Sequence, residues 1–147
     1  MPHFTLQIFP TGPLLDAFVS VSDARRTALV AANQAIPNPV QIRALVDTGA
    51  SSTCLDPSVV ASLGLTPTGT VPMVTPSTGT TPHIAETYDI GLIIPHPTEA
   101  SLLIPTMEVS CVQLLAAQGF HALIGRDLLR KCVLNYNGER GWYTLAY

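Results

Sequence analysis

A chain of 147 residues is long enough to bury a hydrophobic core, and its length favours one domain spanning residues 1–147. Only 12% of the residues are charged and the net charge is −3, so no basic patch favours a nucleic-acid partner, while an apolar fraction of 47% favours contact with another chain. The N-terminus lacks the pattern of a signal peptide and no apolar run approaches the length of a membrane span. The sequence therefore predicts a soluble, cytoplasmic protein without a membrane partner.

Thirteen prolines and ten glycines separate short segments that are rich in Val, Ile, Leu, Thr and Tyr. This pattern is typical of an all-β domain. The predicted strands are Thr5 to Phe9, Leu15 to Val21, Gln41 to Val46, Pro72 to Thr75, His83 to Ile94, Ala100 to Val112, Ala122 to Ile124, Cys132 to Tyr136 and Gly141 to Leu145.

Two segments predict short helices. In "LDPSVVASLGL", Asp56 is a candidate N-cap, Pro57 suits the first helical position and Gly64 is a stop signal. In "GRDLLRKC", Asp127 is expected to cap one helical turn.

The segment "SDARRTALVAANQAIPNP" leaves two interpretations open. Its alanines favour a helix that Pro37 and Pro39 would close, but a long surface loop fits equally well. The sequence does not decide between them.

The cysteines and histidines indicate no metal site and no cofactor. Three cysteines share no metal-type spacing, so we expect free thiols in a reducing compartment, acting mainly as small core residues. The four histidines lie far apart in the chain, and none has an acid at the i, i+4 spacing of a helix.

The stretch "ALVDTGASSTC" places Asp47 directly after a predicted strand. A lone Asp-Thr-Gly most often marks a turn, and Gly49 is expected to permit backbone angles that other residues resist. The small residues from Thr48 to Ser52 leave room for a second copy of this loop or for a substrate backbone.

Two further segments add to this motif. "HALIGRDLL" is expected to run as a strand beside the Asp47 loop, with Gly125 allowing close packing. Between the two lies "VPMVTPSTGTTPHIAETYDIGL", in which two strand-like runs flank the turn-rich tip "PSTGTTP" and predict a mobile hairpin.

In this order and spacing, the elements resemble the retropepsin-like aspartic proteases, and the cellular or bacterial members more than the viral ones. The matching elements are Asp47 to Ser51 after "RALV", the helix ending in Leu63-Gly64-Leu65, the hairpin around Gly79, and Leu123 to Leu129. They cover roughly residues 40–136. The resemblance implies a mainly β, closed, half-pepsin barrel with one or two short helices, a flap hairpin and a homodimer.

The same resemblance implies an aspartic endopeptidase without a cofactor. Asp47 from each of two subunits would form the catalytic pair, because each chain holds one Asp-Thr-Gly. Two close carboxylates share one proton, so that one activates a water while the other protonates the substrate carbonyl. A peptide or protein would bind extended under two flaps. The remaining implied site residues support the active loop (Thr48, Gly49, Ala50, Gly125 and Arg126) or form the flap (Ser77, Thr78, Gly79 and Thr80).

Three alternatives stay open. In viral members an acid follows the Asp-Thr-Gly-Ala element and pairs with the arginine. This chain has Ser51 and Ser52 there, so Arg126 would bond to Asp127 or to a backbone carbonyl instead. The terminal segments "FTLQIF" and "GWYTLAY" would either interleave into a dimer sheet or be edge strands of the monomer. The alternative function is a retropepsin-fold dimerisation or peptide-binding module with little or no peptidase activity.

Overall fold

The computed structural model describes residues 1–75, 78–114 and 119–147. In this part of the chain there are ten strands and three helices, and none of the helices is long and apolar enough to cross a membrane. In chain order the elements are β1 (His3–Phe9), β2 (Gly12–Val21), α1 (Asp23–Ala31), β3 (Val40–Val46), β4 (Cys54–Leu55), α2 (Pro57–Ser62), β5 (Gly69–Met73), β6 (His83–Ile94), β7 (Leu102–Cys111), β8 (Ala122–Ile124), α3 (Arg126–Leu129), β9 (Val133–Asn137) and β10 (Trp142–Ala146).

Six strands close into a barrel in the order β6, β7, β4, β8, β3 and β2, and the ring closes because β2 pairs with both β3 and β6. Outside the ring, β5 forms an antiparallel hairpin with β6. On the other side, β1 connects β2 to β10 and β9. The mainly β, closed barrel predicted from the sequence is confirmed.

The barrel encloses the hydrophobic core. Alternate residues of its strands point inward, and Ala17, Val19, Ala44, Ile90 and Ile124 are fully buried. Removal of such apolar surface from water is the main favourable contribution to folding.

The first and last strands pair with each other within one chain. Five residue pairs join β1 to β10, from His3 opposite Ala146 to Gln7 opposite Trp142. Tyr143 of β10 is only 1% exposed, and its hydroxyl donates to the Leu14 carbonyl oxygen at 2.7 Å, which connects this sheet to the barrel. In this chain the terminal segments are therefore strands of the monomer, and β9 forms the outer edge of the sheet.

The structure decides one helix prediction that was left open and corrects another. The segment left open by the sequence is the helix α1, with Ser22 as its N-cap, and it ends at Ala31 before either proline. Asn33 follows with a φ of 55°, in the left-handed region that commonly ends helices. The structure confirms Asp56 as the N-cap of α2, but α3 has Gly125 as its N-cap, so the prediction that Asp127 caps it was wrong.

Candidate active site

Asp47 is positioned by two parallel strands of the barrel. β3 and β8 pair with Val46 opposite Ile124, and the Asp47 N–H donates to the Ile124 carbonyl oxygen at 3.0 Å. The ladder therefore continues one residue past the end of β3. This backbone bond fixes where the half-buried Asp47 side chain leaves the sheet.

Two backbone amides orient the Asp47 carboxylate. Oδ1 accepts from the Gly49 N–H at 2.8 Å and from the Ala50 N–H at 3.3 Å. No hydrogen bond from a residue in the described ranges reaches Oδ2. One oxygen is therefore fixed by the loop, while the other can contact a water, a substrate or a second carboxylate.

Gly49 acts through its size and not through its backbone angles. The predicted special conformation was wrong, because Gly49 does not adopt a positive φ. A Cβ atom at this position would lie 3.1 Å from Asp47 Oδ1, closer than most such contacts. The absence of a side chain lets the Gly49 N–H approach the carboxylate.

Gly125 and Arg126 contact the same loop from β8 and α3. A Cβ atom on Gly125 would lie 2.4 Å from the carbonyl carbon of Ser52, so only glycine fits here. The Arg126 N–H donates to the Ala50 oxygen at 2.9 Å, and Nη1 donates to the carbonyl oxygens of Thr48 at 2.9 Å and Gly49 at 3.1 Å. Of the two open partners for Arg126, the backbone carbonyls are therefore correct.

Thr53 is a positioning residue that the sequence reasoning missed. Its side chain is buried, its N–H donates to Asp127 Oδ2 at 2.9 Å, and its hydroxyl donates to Asp127 Oδ1 at 2.8 Å. The Thr53 hydroxyl also accepts from the Gly125 N–H at 3.2 Å. The available signal was the acid in the apolar run "IGRDLL", because an acid that is largely buried requires hydrogen-bond partners.

Asp56 is the other acid buried near this region, and its hydrogen bonds make it structural. Its Oδ1 accepts from the N–H and the hydroxyl of Ser58, at 3.0 and 2.6 Å, and Oδ2 accepts from the Leu114 N–H at 3.0 Å. Burial alone would raise the pKa of Asp56, but these hydrogen bonds more than offset it and the pKa lies below its usual value. Oδ1 therefore fixes the start of α2 and Oδ2 fixes the segment after β7, which leaves neither oxygen free to act as a partner of Asp47.

The thiol closest to this loop in sequence is unsuited to nucleophilic catalysis. Cys54 is buried, and that burial, with smaller contributions from the charges of Asp127 and Asp47, raises its pKa to about 11. A nucleophilic cysteine needs the thiolate form, which is scarce at neutral pH under these conditions. All three cysteines are free, and among residues 1–75, 78–114 and 119–147 no group of side chains is arranged to hold a metal ion.

The predicted flap residues lie at the connection between β5 and β6. Thr78 Oγ1 accepts from the Thr75 N–H at 2.8 Å and donates to the Thr75 carbonyl oxygen at 2.9 Å, while Gly79 has a φ of 60°. The predicted residue Ser77 lies outside the described residues. Within the described residues, Thr78, Gly79 and Thr80 make no hydrogen bond to the Asp47 loop, and their role as a flap stays a prediction.

Comparison with known protein families shows which family the chain belongs to. A family model described as "Aspartyl protease" matches residues 30–128, which include the Asp47 loop, α2, the β5–β6 hairpin and most of α3. The chain belongs to the aspartyl protease family. A comparison with curated protein sequences gave no match.

Solved structures show the same fold for this aspartyl protease. Nineteen chains match, and one is the crystal structure of a retropepsin-like aspartic protease from Rickettsia conorii. The superposition has a TM-score of 0.59 at 19% sequence identity and covers 99% of this chain and 91% of that chain. The predicted resemblance to retropepsin-like aspartic proteases is therefore confirmed in family and in fold by an aspartyl protease family model and a retropepsin-like structure.

Proposed function

We propose that this aspartyl protease is an endopeptidase whose catalytic pair consists of Asp47 from each of two identical subunits. The observation that supports this most directly is the Asp47 carboxylate, which the Gly49 and Ala50 N–H groups hold by one oxygen at the end of β3. The chain holds one Asp-Thr-Gly, and Asp56, the buried acid near it, has both oxygens engaged. The second carboxylate therefore comes from another copy.

The chemistry requires two carboxylates. Placed a few ångströms apart, they cannot both ionise and share one proton, so the pair titrates as a unit. The ionised group removes a proton from a water, whose oxygen attacks the peptide carbonyl carbon, and the protonated group donates to the carbonyl oxygen. The tetrahedral intermediate then breaks its C–N bond as the amine nitrogen takes up a proton, which yields a carboxylic acid and an amine.

In this proposal the residues around Asp47 position the acid. The N–H groups of Gly49 and Ala50 orient the carboxylate, while Arg126 holds the carbonyl oxygens of Thr48 and Gly49. Thr48 would bond to the partner's loop across the two-fold axis. Gly125 permits the close packing behind the loop.

The β5–β6 hairpin is the proposed flap. Its tip residues Thr78, Gly79 and Thr80, with the predicted Ser77, would cover an extended peptide or protein segment and add backbone hydrogen bonds to it. The exposed apolar side chains near the tip, Val74 and Ile84, suit a substrate with apolar residues beside the cleaved bond.

The dimer would use the free edge of the terminal sheet. β1 and β10 are already paired with each other, so they cannot interleave with a second copy without separating. β9 ends the sheet order, contains no charged residue and leaves Val133 and Tyr136 largely exposed. Edge strands that must avoid pairing usually carry charges or prolines, so we assign β9 as the edge that meets the partner.

Two further parts of the proposal concern the whole chain. Residues 1–147 act as one domain, because the barrel and the terminal sheet share Tyr143 as a buried connection. The three free cysteines support action in the reducing environment of the cytoplasm.

The proposal is tested with Asp47→Asn and with Asp16→Asn as a matched control. Asp16 has the same change of charge but lies in an exposed ion pair with Arg43. Cleavage of an unstructured protein is followed from mildly acidic to neutral pH, with and without a statine-type inhibitor. Loss of cleavage in Asp47→Asn alone, together with inhibition of the wild type, supports the endopeptidase. Cleavage that survives Asp47→Asn contradicts it, and an inactive wild-type dimer that still binds peptides indicates the binding module instead.

A further inference from the structure

The loop between β6 and β7 buries a histidine far from the Asp47 loop in sequence. His96 stands between two exposed prolines, yet its side chain is only 5% exposed. Its ring lies beside that of Phe4 in β1, with a centroid distance of 6.2 Å. A buried imidazole must find hydrogen-bond partners for both ring nitrogens.

The hydrogen-bond partners of His96 show which ring nitrogen carries the proton. Nδ1 lies 2.7 Å from the Glu99 nitrogen and 3.2 Å from the Thr98 nitrogen, and both of these are N–H donors. Nδ1 must therefore act as an acceptor without a proton. Nε2 lies 2.8 Å from the His3 carbonyl oxygen and must donate. These contacts together require the neutral ring with its proton on Nε2.

The same loop is fastened to both ends of the chain. Glu99 Oε2 accepts from the His3 N–H at 3.3 Å, and the Tyr147 hydroxyl donates to the Ala100 carbonyl oxygen at 3.0 Å. The Tyr147 N–H in turn donates to the Pro2 carbonyl oxygen at 3.0 Å. The ring of His96 therefore joins a turn within its own loop to the start of β1.

We propose that His96 is a pH-sensitive latch that fastens β1 and the terminal sheet to the β6–β7 loop. A proton on Nδ1 removes the acceptor of the Thr98 and Glu99 N–H groups. The new Nδ1–H then points at these two N–H groups. The turn must then open, so the segment from Thr98 to Glu99 is released from the ring, while Nε2 keeps its donor bond to the His3 carbonyl oxygen.

The nearest charged group to the ring, the Glu99 carboxylate, favours protonation of His96. From its own loop, the Glu99 carboxylate lies 3.6 Å from Nε2 and attracts an imidazolium. From β2, Asp16 lines the same groove as His96, and its negative charge is paired with Arg43 of β3 at 3.3 Å. From β1, His3 adds a positive charge when protonated, and the neutral Tyr147 faces the ring of Phe4 from the end of β10.

The test is an NMR titration of the full-length protein. At about pH 7.5 the ¹⁵N shifts of His96 should show the proton on Nε2, and between about pH 7.5 and 5.5, where imidazoles change charge, the exchange protection of the Thr98 and Glu99 amides should fall. The expected fall is about tenfold, which corresponds to the loss of about one hydrogen bond. A proton on Nδ1 at the higher pH, or unchanged protection after His96 has titrated, overturns the proposal.

A pair of variants isolates the histidine. In His96→Asn the amide oxygen can accept from the same two N–H groups without titrating, so the turn should persist while its dependence on pH disappears. The matched control is His83→Asn at an exposed histidine, which should keep the wild-type pH dependence. The same pH dependence in His96→Asn overturns the latch, and if that variant does not fold, the wild-type titration decides alone.

Discussion

Thr53 and Asp127 are separated by 74 residues in the chain, yet two hydrogen bonds join them, at 2.9 Å from the Thr53 N–H and at 2.8 Å from its hydroxyl. Asp127 also accepts from its own neighbour, the Leu128 N–H, at 2.8 Å. Through this pair, the chain that leaves the Asp47 loop is fixed to the first turn of α3.

Replacement of the Thr53 hydroxyl tests this connection. Thr53→Val keeps the shape but removes one donor to Asp127 and the acceptor of the Gly125 N–H. We expect the free energy of unfolding to fall by about 1–3 kcal/mol, because buried polar groups lose their partners. Thr53→Ser retains the hydroxyl and should cost clearly less in the same urea titration. Equal losses in the two variants would show that the hydroxyl contributes nothing.

Arg126 is expected to affect activity more than stability. Arg126→Ala removes the donor that holds the carbonyl oxygens of Thr48 and Gly49. Misplacement of the loop should lower kcat by about 10- to 100-fold, with a smaller change in KM. Arg130→Ala, at an exposed arginine just after α3, serves as the control and should leave kcat unchanged. Equal kcat values for the Arg126→Ala variant and the wild type would contradict this role.

The buried Tyr143 should make the free energy of unfolding fall at alkaline pH. Burial raises the pKa of Tyr143 above its usual value, and the hydrogen bond to Glu86 raises the pKa of Tyr88 to about 12. A raised pKa in the folded state favours the neutral phenol, so this stabilisation is complete below about pH 10 and is lost as the pH rises further.

The measurement is the free energy of unfolding of Tyr143→Phe as a function of pH. Loss of the bond to the Leu14 oxygen should cost about 1 kcal/mol at neutral pH, and the alkaline loss of stability should become shallower. The exposed Tyr136 provides the control Tyr136→Phe, which should follow the wild-type curve. An unchanged alkaline limb in Tyr143→Phe would show that Tyr143 is not responsible.

The dimer edge can be tested by cross-linking. If two copies of β9 pair antiparallel about a two-fold axis through the middle of the strand, Asn135 lies opposite its own counterpart, within the Cα distance that a disulfide requires. Asn135→Cys should then give a covalent dimer under mild oxidation. Thr144→Cys, on the neighbouring strand opposite Asn135, should not. Cross-linking of Thr144→Cys but not of Asn135→Cys would place the partner elsewhere.

The sequence predicted the part of the site that depends on residue pattern. The apolar run before Asp47 and the segment "HALIG" were each recognised as strands, and the structure pairs them in parallel, with Gly125 packed against the backbone of Ser52. β4 was missed because a strand of two residues has no periodicity.

The error at Gly49, the choice left open for Arg126 and the missed pair of Thr53 and Asp127 have a common physical origin. The role of Gly49 depends on the position of a carboxylate oxygen, and the partners of Arg126 are backbone carbonyls, which residue types do not specify. Thr53 and Asp127 become neighbours only when the barrel closes. Patterns along the chain therefore located the candidate acid, but the contacts that hold it required the three-dimensional structure.

The central claim is that two chains contribute one acid each, and mixed dimers test it most directly. Wild type and Asp47→Asn are mixed at constant total protein, allowed to exchange subunits, and assayed for peptide cleavage, with wild type diluted alone as the reference. Because a mixed dimer has only one Asp47, we predict that activity follows the square of the wild-type fraction. Activity proportional to the wild-type fraction itself would show that each chain acts alone and would contradict the account.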